Sequence, residues 1–218
     1  MTLAYLLEHF GVAIAAITGA LAARGKRVDL FGVTVQSLAT AFGGGTVRDL
    51  VLGVPHIFWV EDTAYVYTAL GAAVFTFFVV RYADFPTAVL LVADAFVLAL
   101  FTIVGLKKAE LFNDSALIAV IMGVVTGVAG GMLRDLLLGE IPLVFRPETC
   151  LYATAAFLGS VAYVALARWG VPAPVNTLVS TGVVLAMRLA GIRWRISLPV
   201  FVTRDTPPPR AAGKGSAW

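Results

Sequence analysis

One ten-residue string occurs twice in this chain, and an internal repeat limits the possible folds more than any single residue does. Gly44-Gly45-Thr46-Val47-Arg48-Asp49-Leu50-Val51-Leu52-Gly53 lines up with Gly130-Gly131-Met132-Leu133-Arg134-Asp135-Leu136-Leu137-Leu138-Gly139. Seven of the ten positions are identical at an offset of 86. One residue of slippage then aligns Pro55 with Pro142, Phe58 with Phe145, Glu61 with Glu148 and Tyr65 with Tyr152.

Composition names the solvent around each copy. Of 218 residues, 60% are hydrophobic and 13% charged, where soluble domains carry about 45–50% and about 25%. A water-soluble surface of this size needs more charge. Seven apolar stretches approach the roughly 20 residues that cross a bilayer: 3–23, 28–52, 63–80, 87–106, 116–139, 149–167 and 173–191. A membrane β-barrel needs segments alternating apolar and polar, and runs such as 13–23 and 96–106 do not alternate. Residues 1–10 lack a basic leader region and carry Glu8, so no cleaved signal is expected. The single cysteine, Cys150, excludes an intramolecular disulfide.

The offset maps span one onto four, two onto five and three onto six. Each repeat then holds three helices, an odd number, so the second copy enters the bilayer from the opposite side. The expected fold is all-α, with seven transmembrane helices as an inverted three-plus-three repeat and an unpaired seventh. The first repeat covers 1–86 and the second 87–170. The seventh helix follows at 171–195 and a flexible cytoplasmic tail, with Pro207–Pro208–Pro209, at 196–218. Eleven basic residues fall on one side (Arg24, Lys26, Arg27, Arg81, Arg146, Arg188, Arg193, Arg195, Arg204, Arg210 and Lys214). The other side has three, Lys107, Lys108 and Arg168. The positive-inside rule puts the N-terminus outside and the C-terminus in the cytoplasm.

Within the second and fifth spans lie Gly43, Gly44, Gly45, Gly127, Gly130 and Gly131. Glycine in a helix interior costs about 1 kcal/mol relative to alanine, and sharp kinks gather at such sites. Carbonyls freed by a kink cannot face lipid, so they line a cavity or find a partner. Paired interruptions in two halves point to a central pathway; close Gly-x-x-x-Gly packing is the alternative. Arg48, Asp49, Arg134 and Asp135 follow the glycines. Adjacent helical residues point about 100° apart, so each is expected to reach another helix, Arg48 towards Asp135 or Arg134 towards Asp49. An interfacial arginine with a structural ion pair is the competing reading.

Asp94 lies two turns into the fourth span and maps onto Glu8. It would bind a cation, pair with an arginine or be protonated. Ser37, Thr40, Thr46, Thr126, Ser180 and Thr181 add polarity, and His9 and His56 read as interfacial residues without the neighbours of a metal site. No Gly-x-Ser-x-Gly elbow, His-Glu-x-x-His site or phosphate loop is present in the sequence, so no enzyme, cofactor, metal or nucleic-acid role is expected.

Two copies of Gly-Gly-x-x-Arg-Asp-Leu-x-Leu-Gly, each followed by proline, resemble the prokaryotic branch of the TRIC (trimeric intracellular cation) channel family. The same proteins are also catalogued as putative glycine transporters, and the likeness runs from Leu3 to Arg195. It implies a homotrimer in the cell inner membrane with one pore per protomer, passing mainly potassium, sodium being the other candidate ion. It implies contacts with membrane lipids, bound lipid included. The implied pore is lined by the first, second, fourth and fifth spans, with glycine kinks at Gly44, Gly45, Gly130 and Gly131. Arg48, Asp49, Arg134 and Asp135 would stand beside it, Asp94, Ser37, Thr46 and Thr126 adding charge and polarity. Animal members have a lysine-containing stretch after the glycines, linked to lipid gating. Here those positions read Thr-Val-Arg and Met-Leu-Arg. The alternative function is secondary transport of a small solute such as glycine.

Overall fold

A computed structural model of the chain describes residues 3–83, 85–146, 151–194 and 196. Its helices are α1 (Leu3–Ala22), α2 (Leu30–Leu52), α3 (Phe58–Glu61), α4 (Ala64–Tyr82), α5 (Thr87–Phe112), α6 (Ala116–Leu137), α7 (Tyr152–Arg168) and α8 (Ala173–Trp194), with a 3-10 turn at Leu143–Phe145. Each apolar stretch corresponds to one long helix; α3 is a single turn that the hydropathy pattern did not mark. The fourth stretch runs on to Phe112, so Lys107, Lys108 and Glu110 are helical rather than in a loop. The tail after Ile196, Arg195, Cys150, Glu148 and Thr149 lie outside the described residues.

Five helices, α1, α4, α5, α6 and α8, are long and apolar enough to cross a membrane. At about 1.5 Å per residue the 23 residues of α2 extend roughly 35 Å, but Gln36, Ser37, Arg48 and Asp49 dilute its hydropathy. The fold is an all-helical membrane protein whose outer faces carry exposed Tyr67, Phe75 and Leu178. In water such side chains would be a liability; against hydrocarbon they are at no disadvantage.

The repeated motif explains where α2 and α6 stop. Gly53 and Gly139 have φ of 66° and 68°, the left-handed region that a side chain disfavours. Each closes its helix with the same pair of turns. The Val54 N–H donates to the Asp49 carbonyl at 3.0 Å, and the Glu140 N–H to the Asp135 carbonyl at 2.9 Å. At the other end of α2, the Asp29 side chain accepts from the Gly32 N–H at 2.8 Å.

Small residues set the spacing between helices. Ala15, Ala16, Ala69 and Ala73 are buried where α1 meets α4, as are Ala155 and Ala156 of α7. One core gathers Val12, Ala41, Phe42 and Tyr65 from the first repeat with Val97 of α5. A second gathers Leu98, Val128, Tyr152 and Val184 from α5, α6, α7 and α8. The last helix therefore packs on the second repeat, where the Asn176 amide also donates to the Tyr163 carbonyl at 2.9 Å.

Candidate functional site

The glycines do not interrupt the helices. Helical structure is continuous from Leu30 to Leu52 and from Ala116 to Leu137, so neither helix is divided into separate segments at its glycines. What the missing side chains permit is contact. A Cβ at Gly44 would collide with the Thr126 carbonyl oxygen, and a Cβ at Gly130 would lie 2.5 Å from the Thr40 carbonyl oxygen. Thr40 and Thr126 are themselves 86 residues apart, as are Gly44 and Gly130. The α2–α6 crossing is thus reciprocal, each helix offering a threonine and taking a glycine. That is the pattern of an interface around a two-fold axis.

Of the other glycines, Gly43 adds to this crossing, while Gly45, Gly127 and Gly131 make room for α3, α5 and α7. Gly43 faces Leu133, Gly45 faces the Phe58 ring, and Gly127 faces Thr102 and Leu98. A Cβ at Gly131 would lie 2.8 Å from the Tyr152 hydroxyl and 3.5 Å from Asp94. The Thr40 and Thr126 hydroxyls donate to the carbonyls one turn back, Gln36 at 2.7 Å and Met122 at 2.6 Å. Their polarity is spent within the helix. Ser37 is fully buried, its hydroxyl without a hydrogen-bond partner. Thr46 accepts from the Trp59 indole N–H at 3.0 Å.

Charge lies at the motif end of each crossing helix. Arg48 donates through Nε to Asp49 at 2.8 Å, and Arg134 does the same to Asp135 at 2.8 Å. The expected cross-repeat pairs, Arg48 with Asp135 and Arg134 with Asp49, are not what the described residues form. The divergence of adjacent side chains applies near Cβ; a guanidinium on a long stem can curl back to its neighbour's carboxylate. The aspartates are held from the far side too. The Phe58 N–H donates to the Asp49 carboxylate at 3.0 Å, and the Leu143 N–H to the Asp135 carboxylate at 2.8 Å. Each aspartate ties a helix end to the returning chain, and its arginine compensates the buried charge.

The two clusters then diverge. Asp49 also receives Lys108 of α5 at 3.0 Å. Arg134 also donates to Asp94 of α5 at 2.8 Å, so that carboxylate is a buried ion-pair partner. Arg188 of α8 lies 3.9 Å from Asp94 and 4.5 Å from the Tyr152 ring centre. Its burial corrects the assignment of Arg188 to the basic tail. A positive-inside tally gave no signal for it, because that count does not distinguish a helix interior from a loop. Glu8, the counterpart of Asp94, accepts from Tyr65 at 2.7 Å instead of meeting Arg48.

Around Glu8, His9 stacks 4.1 Å from Tyr65 and lies tilted 4.2 Å from Tyr5. The Tyr5 hydroxyl donates to Asp62 at 2.7 Å, and that bond holds the carboxyl of Asp62 below its ordinary range. Lys26 likewise lowers Glu140. No group of three or more metal-ligating side chains occurs among the described residues.

A family model described as glycine transporter matches the chain twice, over residues 5–81 and 91–168. A UPF0126 membrane protein of Vibrio cholerae is 41% identical over 201 residues, 92% of this chain and 83% of that protein. The UPF0126 inner membrane protein YadS of Escherichia coli K12 is also 41% identical, over 91% of this chain and 96% of its own length. Among solved structures, the TRIC trimeric intracellular cation channel orthologue from Rhodobacter sphaeroides superposes with a TM-score of 0.84. It is 42% identical, over 90% of this chain and all of that one. A second TRIC cation channel structure superposes with a TM-score of 0.82 at 32% identity, over 94% of this chain and all of that one.

Proposed function

The chain belongs to the family described as glycine transporter, whose solved relatives include TRIC cation channels, and from that premise we propose that it is a passive channel for monovalent cations, mainly potassium. The observation that carries this reading is a fold matched over 90% and 94% of the chain to two cation channels. The reading gives each protomer of a homotrimer its own pore, running between the two repeats in a bacterial inner membrane.

Seven long helices would span, α3 and the 3-10 turn lying at the ends of the motif helices. The reciprocal glycine crossing supports a two-fold relation between the repeats. Three helices per repeat turn that relation into an inversion. One Arg-Asp cluster then stands near each membrane face, with Gly44 and Gly130 between them and Ser37, Thr46 and Thr126 nearby. Asp94, Arg48, Asp49, Arg134 and Asp135 set the potential along the route, a charged arrangement suited to selecting ions by sign. With Arg188 removed from the tail, the basic count is still ten against three, which favours a cytoplasmic C-terminus. No bound cofactor is required.

The family's description favours a second reading, secondary transport of glycine. Reconstitution into potassium-loaded vesicles separates the two. A channel gives potential-driven potassium flux and unitary currents; saturable glycine uptake without such currents would sink the channel reading.

A further inference from the structure

The crossing of α2 and α6 carries one feature that its two-fold pattern does not repeat. Contacts run along it in antiparallel register, one helical turn per level: Gln36 meets Arg134, Thr40 meets Gly130 and Gly44 meets Thr126. One further turn brings Arg48 level with Met122, and these two are the counterparts of Arg134 and Gln36 at the offset of 86. The outermost levels are therefore related positions with different chemistry. The Gln36 side chain, 5% exposed, donates its amide to the Arg134 carbonyl at 2.6 Å. Met122 offers a thioether, which has no proton to donate.

The bond leaves a mark on the backbone. A continued helix would satisfy the Arg134 carbonyl from the Leu138 N–H, but that group donates to the Asp135 carbonyl at 3.1 Å. α6 stops at Leu137, whereas α2 runs through Leu52, the counterpart of Leu138. Both helices end in Arg-Asp-Leu-x-Leu-Gly, so the motif does not set the difference. A carbonyl inside an apolar bundle needs a donor, and here a side chain of the opposite repeat supplies it. At Gly44 and Gly130 the two backbones touch, so an ion passing between the repeats requires that contact to loosen. We propose that Gln36 is a positioning residue that latches the Arg134 end of the crossing, so that the helices part first at the Met122 end, beside Asp49 and the partly hydrated Lys108. Its effect on flux rests on the channel reading; its effect on the crossing does not.

Gln36→Met gives the first repeat the residue of the second and removes the donor at similar side-chain length. Single-channel recording of the reconstituted protein should show open probability raised about fivefold, the weight of one buried amide–carbonyl bond, at the wild-type unitary conductance. Unchanged open probability would overturn the latch. A fall in unitary conductance alone would also overturn it, because Gln36 would then belong to the ion's path. Hydrogen exchange of the full chain in detergent reads the latch without any current. Amides of residues 34–40 and 130–137 should exchange about fivefold faster in the variant, and those of 44–51 and 120–126 at the wild-type rate. If wild type carries no current, the channel reading fails while exchange still decides the latch, and equal exchange in variant and wild type refutes it. If Gln36→Met fails to assemble, wild type alone decides. Residues 34–40 must then exchange more slowly than their counterparts at 120–126, and equal or reversed rates refute the assignment.

Discussion

In the first repeat, Asp49 takes a second cation from Lys108, whose side chain keeps 23% of its exposure. In the second, Arg134 and Asp94 are each less than 4% exposed, with Arg188 packed beside them. The Arg-Asp tie is buried in both repeats, but its further partner is partly hydrated in the first and sealed in the second. The difference traces to α8, which contributes Val184 to the second core and no residue to the first. It also traces to side-chain length and partner: Glu8 goes to Tyr65, while Asp94 goes to Arg134. A sealed ion pair is strongly destabilising to break, because the survivor is left charged without water; an open one is not. Equal sequence motifs therefore carry unequal energetic weight.

The comparison can be broken most directly at the two carboxylates. Asp94→Asn should cost roughly 3–5 kcal/mol, because it leaves Asp135 alone to compensate the buried Arg134 and removes the carboxylate beside Arg188. Glu8→Gln should cost about 1 kcal/mol, a hydrogen bond to a tyrosine. Unfolding of purified protein in detergent measures both, and equal losses would mean the repeats are buried alike. Next in size are the crossing glycines. Gly44→Ala and Gly130→Ala should each cost about 1–3 kcal/mol through overpacking against a carbonyl. Their losses should agree, since the contact is mutual; a large inequality would refute the two-fold pattern. Lys108→Met should cost about 1 kcal/mol or less, because its ammonium is partly hydrated. Asp49 keeps Arg48 and the Phe58 N–H, so potassium flux rather than stability is the sensitive readout there.

The smallest effect concerns Asp62, whose position in the second repeat holds Thr149. Its carboxyl is lowered by the Tyr5 hydroxyl, so the contribution is present above the ordinary carboxylate range. It is lost as pH falls through the lowered value, below about pH 4. Melting temperature followed downward from about pH 6 should drop less in Tyr5→Phe than in wild type. Parallel curves would exclude that bond as a source of the pH response.

Much of this architecture is written in the chain. The seven apolar stretches become seven long helices, and the motif glycines at 53 and 139 mark where two of them stop. The site was harder to read for three reasons. A glycine lowers the cost of a bend and of a close approach equally, so Gly44 and Gly130 did not distinguish an interruption from a crossing. Angular spacing ignores the reach of a guanidinium, which hid the pairing of Arg48 with Asp49. Arg188 is one of several arginines near the chain's end, and only its three-dimensional position separates it from a basic tail. The Tyr65–Tyr152 alignment was the overlooked clue, since both rings lie beside the carboxylates that the repeat relates.

The crossing of α2 and α6 has a mechanical consequence. Each helix lodges a carbonyl in the notch of the other, so the two behave like meshed teeth. One helix cannot slide along its axis without driving its counterpart, and packed interfaces of this kind shift between discrete settings rather than creeping. A push along the axis of either helix is therefore passed to the other through two pairs of residues, Gly44 with Thr126 and Gly130 with Thr40.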